Sequence, residues 1–307
     1  MLNSIHFLLT YTCLYECDHC FLYCNPRAKG TFTLEQLKTV FTEIEKIESI
    51  KEVYFEGGEP FLFYPLLMEG IKMAKATDLE TGIVSNAYWA TAVEDAELWL
   101  RSCRELKVDD LSLSDDEFHH GEDDNPAERA LRAAQNLNIP VDTICIEKPT
   151  LEVPSDLAQM KGEPIVGGGT RFKGRAADKL TSDLPYRPVS EFTSCPYEDF
   201  ENPTRVHLDS FGNVQLCQGI SIGNMWEIPL SDLTKKYEPL NHPIAGPLIA
   251  GGPERLAASY SVNLKGGFVD ECHYCYEVRK ALLDKFPEYL APKQVYGLEA
   301  LTSESDK

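Results

Sequence analysis

The chain has 307 residues, of which 43% are hydrophobic and 25% are charged, as is typical of a globular protein with a large core. Its 29 basic and 49 acidic side chains leave a formal net charge of −20, and such a surface repels phosphate backbones and anionic lipid. Because no apolar run approaches the roughly 18 residues of a membrane helix and the first residues lack signal-peptide features, we expect a cytoplasmic protein with no nucleic acid and no membrane as partner.

Strands and helices alternate through the first half of the chain. Apolar runs bounded by turn residues predict strands at residues 8–11, 52–56, 82–85, 111–114 and 141–146. Helical periodicity and capping residues predict helices at 34–50, 66–76, 93–106 and 126–137. This alternation requires a parallel sheet with right-handed crossovers. A sixth strand at residues 170–174 would complete a partial (βα)₆ TIM-like barrel, an α/β fold.

The pattern changes after residue 180. A stretch rich in Pro, Ser and Asp at residues 181–191 indicates a linker. A hairpin follows, with strands at 205–208 and 214–216, and a last helix is predicted at 277–284 before a polar tail at 303–307. We therefore predict two domains, residues 1–180 and a small α+β domain at 181–307.

Three cysteines, Cys13, Cys17 and Cys20, lie within eight residues directly after the first predicted strand. Ten cysteines in a chain without a secretion signal indicate metal or cluster ligands rather than disulfides. A structural zinc site normally has four ligands, whereas a [4Fe–4S] cluster held by three thiolates keeps one iron free. The spacing favours such an open cluster.

The cysteine motif is followed, after the second predicted strand, by Gly57-Gly58-Glu59-Pro60. Together and in this order, the two motifs resemble the radical S-adenosylmethionine (SAM) superfamily. The resemblance implies a [4Fe–4S] cluster whose open iron binds SAM, and reductive cleavage of SAM to a 5′-deoxyadenosyl radical that abstracts hydrogen. The family usually has an aromatic residue before the third cysteine, and His19 departs from this. The alternative for the glycine motif is an ordinary turn after a strand.

The resemblance also implies SAM contacts at the carboxyl ends of the strands, where α/β sheets bind ligands. The residues expected to contact SAM are Gly57, Gly58, Glu59, Pro60, Ser85, Asn86, Ser114, Asp116 and Arg171. For the polar residues among them, a strand cap is the alternative. Arg171 belongs with Lys173 and Arg175 to a basic cluster that either binds an anionic group or forms surface salt bridges.

Candidate catalytic residues are few. Asp116 and His119 are candidate proton acceptors, although the segment 115–120 also has the composition of a charged loop rim. Cys24 is a candidate working thiol because it lies close to the cysteine motif. Tyr88, Trp89 and Glu147 follow or end predicted strands and could line the cavity, while Cys103 and Cys145 are expected to be buried hydrophobes.

A second group of cysteines lies in the C-terminal part, at Cys195, Cys217, Cys272 and Cys275. With Gly212 at the hairpin turn, the pattern resembles the SPASM and twitch domains, which hold an auxiliary [4Fe–4S] cluster. The last two cysteines are expected just before the last helix. A closed four-cysteine zinc site is the alternative.

An auxiliary cluster with four protein ligands suits electron transfer to or from the substrate. We therefore expect a net oxidative modification of a peptide side chain, with a dehydrogenase of a small molecule, of the sugar or amino-alcohol type, as the alternative. An iron–sulfur electron-transfer or scaffold protein without SAM chemistry is the alternative from another class. The resemblance also implies a reductase such as flavodoxin or ferredoxin, and a peptide substrate could require a separate leader-recognition protein.

Overall fold

A central sheet of eight strands organises the molecule, whose computed structural model describes residues 2–121, 124–152 and 165–298. The strands are Ser4–Thr10 (β1), Glu52–Gly57 (β2), Glu80–Ser85 (β3), Asp110–Ser114 (β4), Val141–Ile144 (β5), Thr150–Glu152 (β6), Ile165–Gly167 (β7), Arg205–Asp209 (β8), Asn213–Cys217 (β9) and Ile220–Asn224 (β10). The α-helices are Leu34–Ile44 (α1), Tyr64–Ala76 (α2), Val93–Glu105 (α3), Pro126–Asn136 (α4), Arg175–Lys179 (α5), Leu230–Lys236 (α6), Ala245–Ser259 (α7) and Glu271–Ala281 (α8).

The strand order in the sheet is β10-β9-β8-β1-β2-β3-β4-β5. Strands β1 to β5 and β8 run parallel, whereas β9 and β10 are added by antiparallel hairpins. Over the described ranges the sheet is open, with β5 and β10 at its edges, and β6 pairs with β7 in a separate antiparallel ribbon. The predicted α/β class with a mostly parallel sheet is confirmed.

The core lies between this sheet and its helices. Phe7 on β1 stacks on Phe55 of β2 and on Phe41 of α1, with ring centroids 5.1 and 5.5 Å apart. Helix α1 begins with the predicted capping box: Gln36 N donates to Thr33 Oγ1 (3.2 Å), and Thr33 N donates to Gln36 Oε1 (2.8 Å). Packing of aromatic side chains from the first strand therefore fixes α1 against the sheet.

The predicted sixth strand at residues 170–174 is wrong. Instead, β8 is the second parallel neighbour of β1, with His6 opposite His207. The segment 170–174 carries two charged side chains and ends at Gly174, where φ is +61° and an added Cβ would lie 2.6 Å from the Phe21 backbone. The sheet thus continues into the C-terminal part, and a domain division at residue 180 stays a prediction.

Two further differences between the prediction and the structure concern the start of the last helix and the burial of Cys145. Helix α8 begins at Glu271, earlier than predicted, because Asp270 Oδ1 accepts a hydrogen bond from His273 N (2.7 Å) and caps it. Cys103 is buried as predicted, but Cys145 is exposed because β5 is an edge strand. The predicted polar tail lies outside the described residues. No helix that the structure describes combines the length and hydrophobicity needed to cross a bilayer.

Candidate active site

A cavity of about 260 Å³ lies where the parallel strands β1 to β4 end. The predicted site residues that line it are Cys13, Cys17, Cys20, Cys24, Gly57, Gly58, Ser85, Asn86, Ser114, Asp116, His119 and Arg171. They come from five separate segments of the chain. Parallel strands explain this convergence, because their carboxyl ends meet at the same edge of the sheet.

The loop carrying the three thiols is held by backbone contacts. Cys13 N donates to Asn25 O (3.2 Å), and Cys20 N donates to Cys17 O (3.0 Å). The buried guanidinium of Arg175 donates to the carbonyl oxygens of Cys17 (2.8 Å) and Cys24 (2.7 Å). From the sequence, Arg175 was expected either to bind an anionic group or to form surface salt bridges, so its role in shaping the loop was missed.

The thiols also have nitrogen donors near them. Tyr15 N donates to Cys13 Sγ at 3.4 Å, and Asn86 Nδ2 donates to the same sulfur at 3.5 Å. Burial raises the pKa of Cys13 to about 11. A hydrogen bond from the Cys24 thiol instead lowers the pKa of Cys20 to about 6. Three sulfur ligands on one cavity, with N–H groups at a sulfur, fit an iron–sulfur cluster.

The two glycines bring the end of β2 against the end of β1. Gly58 N donates to Thr10 O (2.7 Å), and Gly57 has a φ of +128°. A Cβ on Gly58 would lie 2.1 Å from Thr12 O, so no other residue allows this approach without movement of the backbone. The motif therefore fixes the cavity wall next to Cys13.

Glu59 lies behind this wall and is fully buried. Its carboxylate accepts hydrogen bonds from Phe61 N (3.0 Å), Ser85 Oγ (3.0 Å) and Asn86 N (2.8 Å), and burial raises its pKa to about 7. The side chain joins the end of β2 to the end of β3. Neither Glu59 nor the buried Pro60 is among the residues lining the cavity, and a contact of either with SAM stays a prediction.

A carboxylate–imidazole pair lies on the other wall. Asp116 Oδ1 and His119 Nδ1 are 2.8 Å apart, and although burial works against it, this hydrogen bond lowers the pKa of Asp116. The His19 ring lies 4.4 Å from the Phe118 ring, and burial lowers its pKa to about 4. His119 thus presents an oriented imidazole to the cavity, while the neighbouring segment forms the predicted rim through the Asp115–His120 pair.

The three residues of the basic cluster, Arg171, Lys173 and Arg175, lie in three different places. Arg171 lines the cavity, with its guanidinium carbon 3.2 Å from the centre of the Tyr197 ring. Lys173 is buried beside Cys217, and Arg175 holds the cysteine loop. A single anion site formed by all three is therefore wrong.

The suggested cavity position of Trp89 is also wrong. It is a core residue, stacked on Phe61 with ring centroids 4.7 Å apart, and its indole N–H donates to Ser85 Oγ (3.0 Å). Tyr88 and Glu147 are likewise not among the residues lining the cavity.

The four C-terminal cysteines line a second, much smaller cavity of about 30 Å³. Cys217 ends β9, and Cys272 and Cys275 are the second and fifth residues of α8 rather than preceding it. Lys173 Nζ donates to Cys217 Sγ (3.3 Å), and the fully buried side chain of Arg279 also lines this cavity. Two buried cations beside four thiols fit a site whose ligands are anionic thiolates.

Comparisons with known proteins agree with this geometry. Residues 7–147 match the family model described as Radical SAM superfamily. The chain carries a radical SAM domain. This domain spans β1 to β5 and contains the three-thiol motif and the glycine motif.

A curated relative of the chain is the "Putative peptide biosynthesis protein YydG" of Bacillus subtilis (strain 168). It is 29% identical over 107 residues, which are 35% of the chain and 34% of the relative. The chain thus matches about a third of that relative's length.

Two solved structures are similar. BtrN "in complex with AdoMet and 2-DOIA" has a TM-score of 0.49 and 16% identity, over 76% of this chain and 82% of that one. "Native anSMEcpe with bound AdoMet" has a TM-score of 0.46 and 14% identity, over 97% and 99%.

Proposed function

We propose that this chain cleaves SAM reductively and uses the resulting radical to modify a peptide side chain, with net oxidation. One observation supports the proposal most strongly: three thiols, a glycine-bounded wall and polar strand ends from separate segments line a single cavity. Cys13, Cys17 and Cys20 would hold the cluster. When bound, the cluster and SAM together supply a 5′-deoxyadenosyl radical that abstracts hydrogen.

The chain's own residues then have definable roles. Asn86 donates to Cys13 Sγ and orients that ligand. His119, held by Asp116, is placed to accept a proton at its free ring nitrogen. Arg171 offers a cation to a carboxylate on the cavity wall.

The peptide as substrate is supported by the name of the partial relative, a putative peptide biosynthesis protein. Net oxidation is supported by the four-thiol site, for which we propose an auxiliary [4Fe–4S] cluster. A reductase such as flavodoxin or ferredoxin would supply the electron. Under this proposal the C-terminal part has the role of a twitch-like domain.

The test of SAM cleavage is direct. Anaerobically reconstituted, reduced protein is mixed with SAM, and 5′-deoxyadenosine and methionine are quantified. We expect both products, and their loss by at least about 1,000-fold in Cys17→Ala with Cys20→Ala, because the cluster ligands are removed. If the unaltered protein forms no 5′-deoxyadenosine, the chain is an electron-transfer or scaffold protein and the proposal is wrong.

The second site has a matched pair of substitutions, because Cys272 and Cys275 have the same spacing as Cys17 and Cys20. Cys272→Ala with Cys275→Ala should lower the iron content, leave SAM cleavage measurable and abolish the oxidised product. Unchanged iron with loss of bound zinc would identify a structural zinc site instead.

A further inference from the structure

Three side chains on adjacent strands form a polar cluster that the SAM site does not use. They are His6 on β1, Glu56 on β2 and His207 on β8. The β1–β8 register places the two histidines side by side, with ring centroids 5.0 Å apart. Glu56 lines the large cavity, and the imidazoles lie beside it in the sheet. We refer to His6, Glu56 and His207 as the strand triad.

The two distances from Glu56 to the histidines match those of a tetrahedral metal site. Glu56 Oε1 is 3.4 Å from His6 Nδ1 and 3.4 Å from His207 Nε2, and one donor atom from each of the three residues lies within 4.8 Å of the others. A tetrahedral ion with bonds of about 2.0–2.2 Å separates its donors by roughly 3.3–3.6 Å. Octahedral Mg²⁺, with bonds of about 2.0–2.1 Å, separates neighbouring donors by only roughly 2.8–3.0 Å.

A second observation is that one ring nitrogen of each histidine lacks a hydrogen-bond partner among the described residues. Nδ1 of His6 and Nδ1 of His207 are both buried, and neither makes a hydrogen bond within the described residues. Buried polar nitrogens are rarely left without a partner, so such atoms call for an explanation. For His6, the unpaired nitrogen is the one that faces Glu56 at 3.4 Å, where an ion would bind. For His207 the unpaired nitrogen is Nδ1, while its Nε2 faces Glu56, so this second observation supports the His6 ligand alone.

The charge state of the strand triad also suits a cation. Burial lowers the pKa of His207 to about 3, so its imidazole is neutral at physiological pH and has a lone pair to donate. Burial opposes ionisation of Glu56, but the neighbouring His6 and His207 lower its pKa overall, to about 2. Two imidazoles with one carboxylate form a donor set that zinc and related divalent ions accept.

We propose that the strand triad binds one divalent metal ion of the zinc class in the cavity wall, with a fourth position for water or a cavity ligand. His6 Nδ1, Glu56 Oε1 and His207 Nε2 supply the protein ligands. Gln218 Nε2 also approaches His207 Nε2, at 3.3 Å, and the ion takes the place of that contact. An ion here polarises a carbonyl or carboxylate oxygen of a molecule in the cavity.

The test measures zinc binding to the full chain after its cysteine sites have been reconstituted with iron and sulfide. The protein is desalted over a chelating resin and titrated with Zn²⁺, with bound metal quantified by mass spectrometry after equilibrium dialysis. We expect one zinc per chain, with an affinity at least about 100-fold weaker in Glu56→Gln, because loss of an outer-shell partner alone costs about 10–100-fold. His207→Asn should weaken binding similarly.

The matched control is His119→Asn. His119 belongs to the other histidine–carboxylate group on this cavity, with Asp116 and His19, so its substitution should leave zinc affinity unchanged. Equal zinc affinity in the unaltered protein and in Glu56→Gln would overturn the proposal. Weakening by His119→Asn alone would overturn it as well.

Anomalous diffraction at the zinc edge tests the site without any substitution, and so does not depend on the variants folding. We expect a peak about 2.0–2.2 Å from the three donor atoms of the strand triad. A peak confined to the cysteines, or to His119 and Asp116, would contradict the assignment.

Discussion

The two cysteine sites of this chain differ in the volume of the cavity that they line and in the contacts that hold them. The N-terminal site has three thiols on a cavity of about 260 Å³, and backbone contacts fix its loop. The C-terminal site has four thiols around about 30 Å³, beside the buried cations Lys173 and Arg279. An open site with an incomplete ligand set can bind a small molecule, whereas a closed, complete one suits electron transfer or structure.

The largest expected effect tests whether backbone contacts hold the N-terminal site. Gly58→Ala should destabilise the N-terminal site by about 4 kcal/mol or more, because its Cβ would lie 2.1 Å from Thr12 O and the backbone must move. Iron bound by Cys13, Cys17 and Cys20 should fall, while iron or zinc at the C-terminal site should not. Chemical denaturation and metal analysis measure both.

Gly121→Ala is the matched control, because an added Cβ there meets no atom of the described residues within 4 Å. Its unfolding free energy and iron content should equal those of the unaltered protein. If Gly58→Ala also behaves in this way, close backbone approach does not hold the N-terminal site.

The next effect tests charge at the C-terminal site. Lys173→Met should cost about 3–5 kcal/mol, because it removes one of the two buried cations beside the thiols and leaves Cys217 Sγ without its donor. The metal at the C-terminal site should be lost in parallel, and Lys173→Arg should restore part of it. Metal analysis together with thermal unfolding measures the change.

Lys280→Met provides the comparison. Lys280 is half-buried and pairs with Asp178 and Glu277, so its removal should cost no more than about 1 kcal/mol. Equal losses in the two lysine variants would show that buried charge at Lys173 has no special role.

The spacing of Cys13, Cys17 and Cys20 was sufficient to predict that these thiols lie together, whereas a cluster at the four C-terminal cysteines stays a prediction. Cys13, Cys17 and Cys20 are close in sequence, and the structure places them on one cavity. The strand periodicity likewise predicted β1 to β4, because apolar runs between turns have few other interpretations. Local patterns therefore sufficed wherever the chemistry lies within a short segment.

What could not be predicted depends on contacts between distant residues. The Arg175 bonds to the cysteine loop span about 150 residues of sequence, and no local pattern distinguishes them from an anion site. The pairing of β8 with β1 depends on which strand of the chain binds best to the free edge of β1. This pairing brings His207 close to Glu56. A strand's own sequence does not identify its neighbour.

A third prediction uses pH to separate the two sites. Burial raises the folded-state pKa of Glu59 to about 7, above its ordinary value of 4.5. The stability that this group contributes is complete below pH 4.5 and is lost as pH rises through 7, because the folded state binds the extra proton. The unfolding free energy of the unaltered protein minus that of Glu59→Gln should therefore fall by roughly 3 kcal/mol from pH 4.5 to 8.

Asp270 is the counterpart at the C-terminal site, where burial raises its pKa to about 6. Asp270→Asn keeps a capping oxygen for α8, so a pH-dependent difference reports titration rather than loss of the cap. Glu59→Gln should change iron at the N-terminal site alone, and Asp270→Asn should change metal at the C-terminal site alone. A flat pH profile for either variant would contradict the pKa shift at that residue.

The smallest expected effect concerns the segment that contacts both sites. Lys173 donates to Cys217 of one site, and two residues later Arg175 donates to the carbonyls of Cys17 and Cys24 in the other. Arg175→Lys keeps the charge but loses the planar fork, so one buried carbonyl should lose its donor at a cost of about 1–2 kcal/mol. The expected result is a modest fall in unfolding free energy with less iron at the N-terminal site.

Measuring both metals in Arg175→Lys decides whether the two sites respond independently. Arg175 starts the short helix α5, whereas Lys173 precedes it, so a local loss of one carbonyl bond should leave the Lys173–Cys217 contact intact. Metal at the C-terminal site should then remain unchanged. An equal loss at both sites would show that residues 173–175 move as one unit, so that the backbone-held site and the charge-held site stabilise each other.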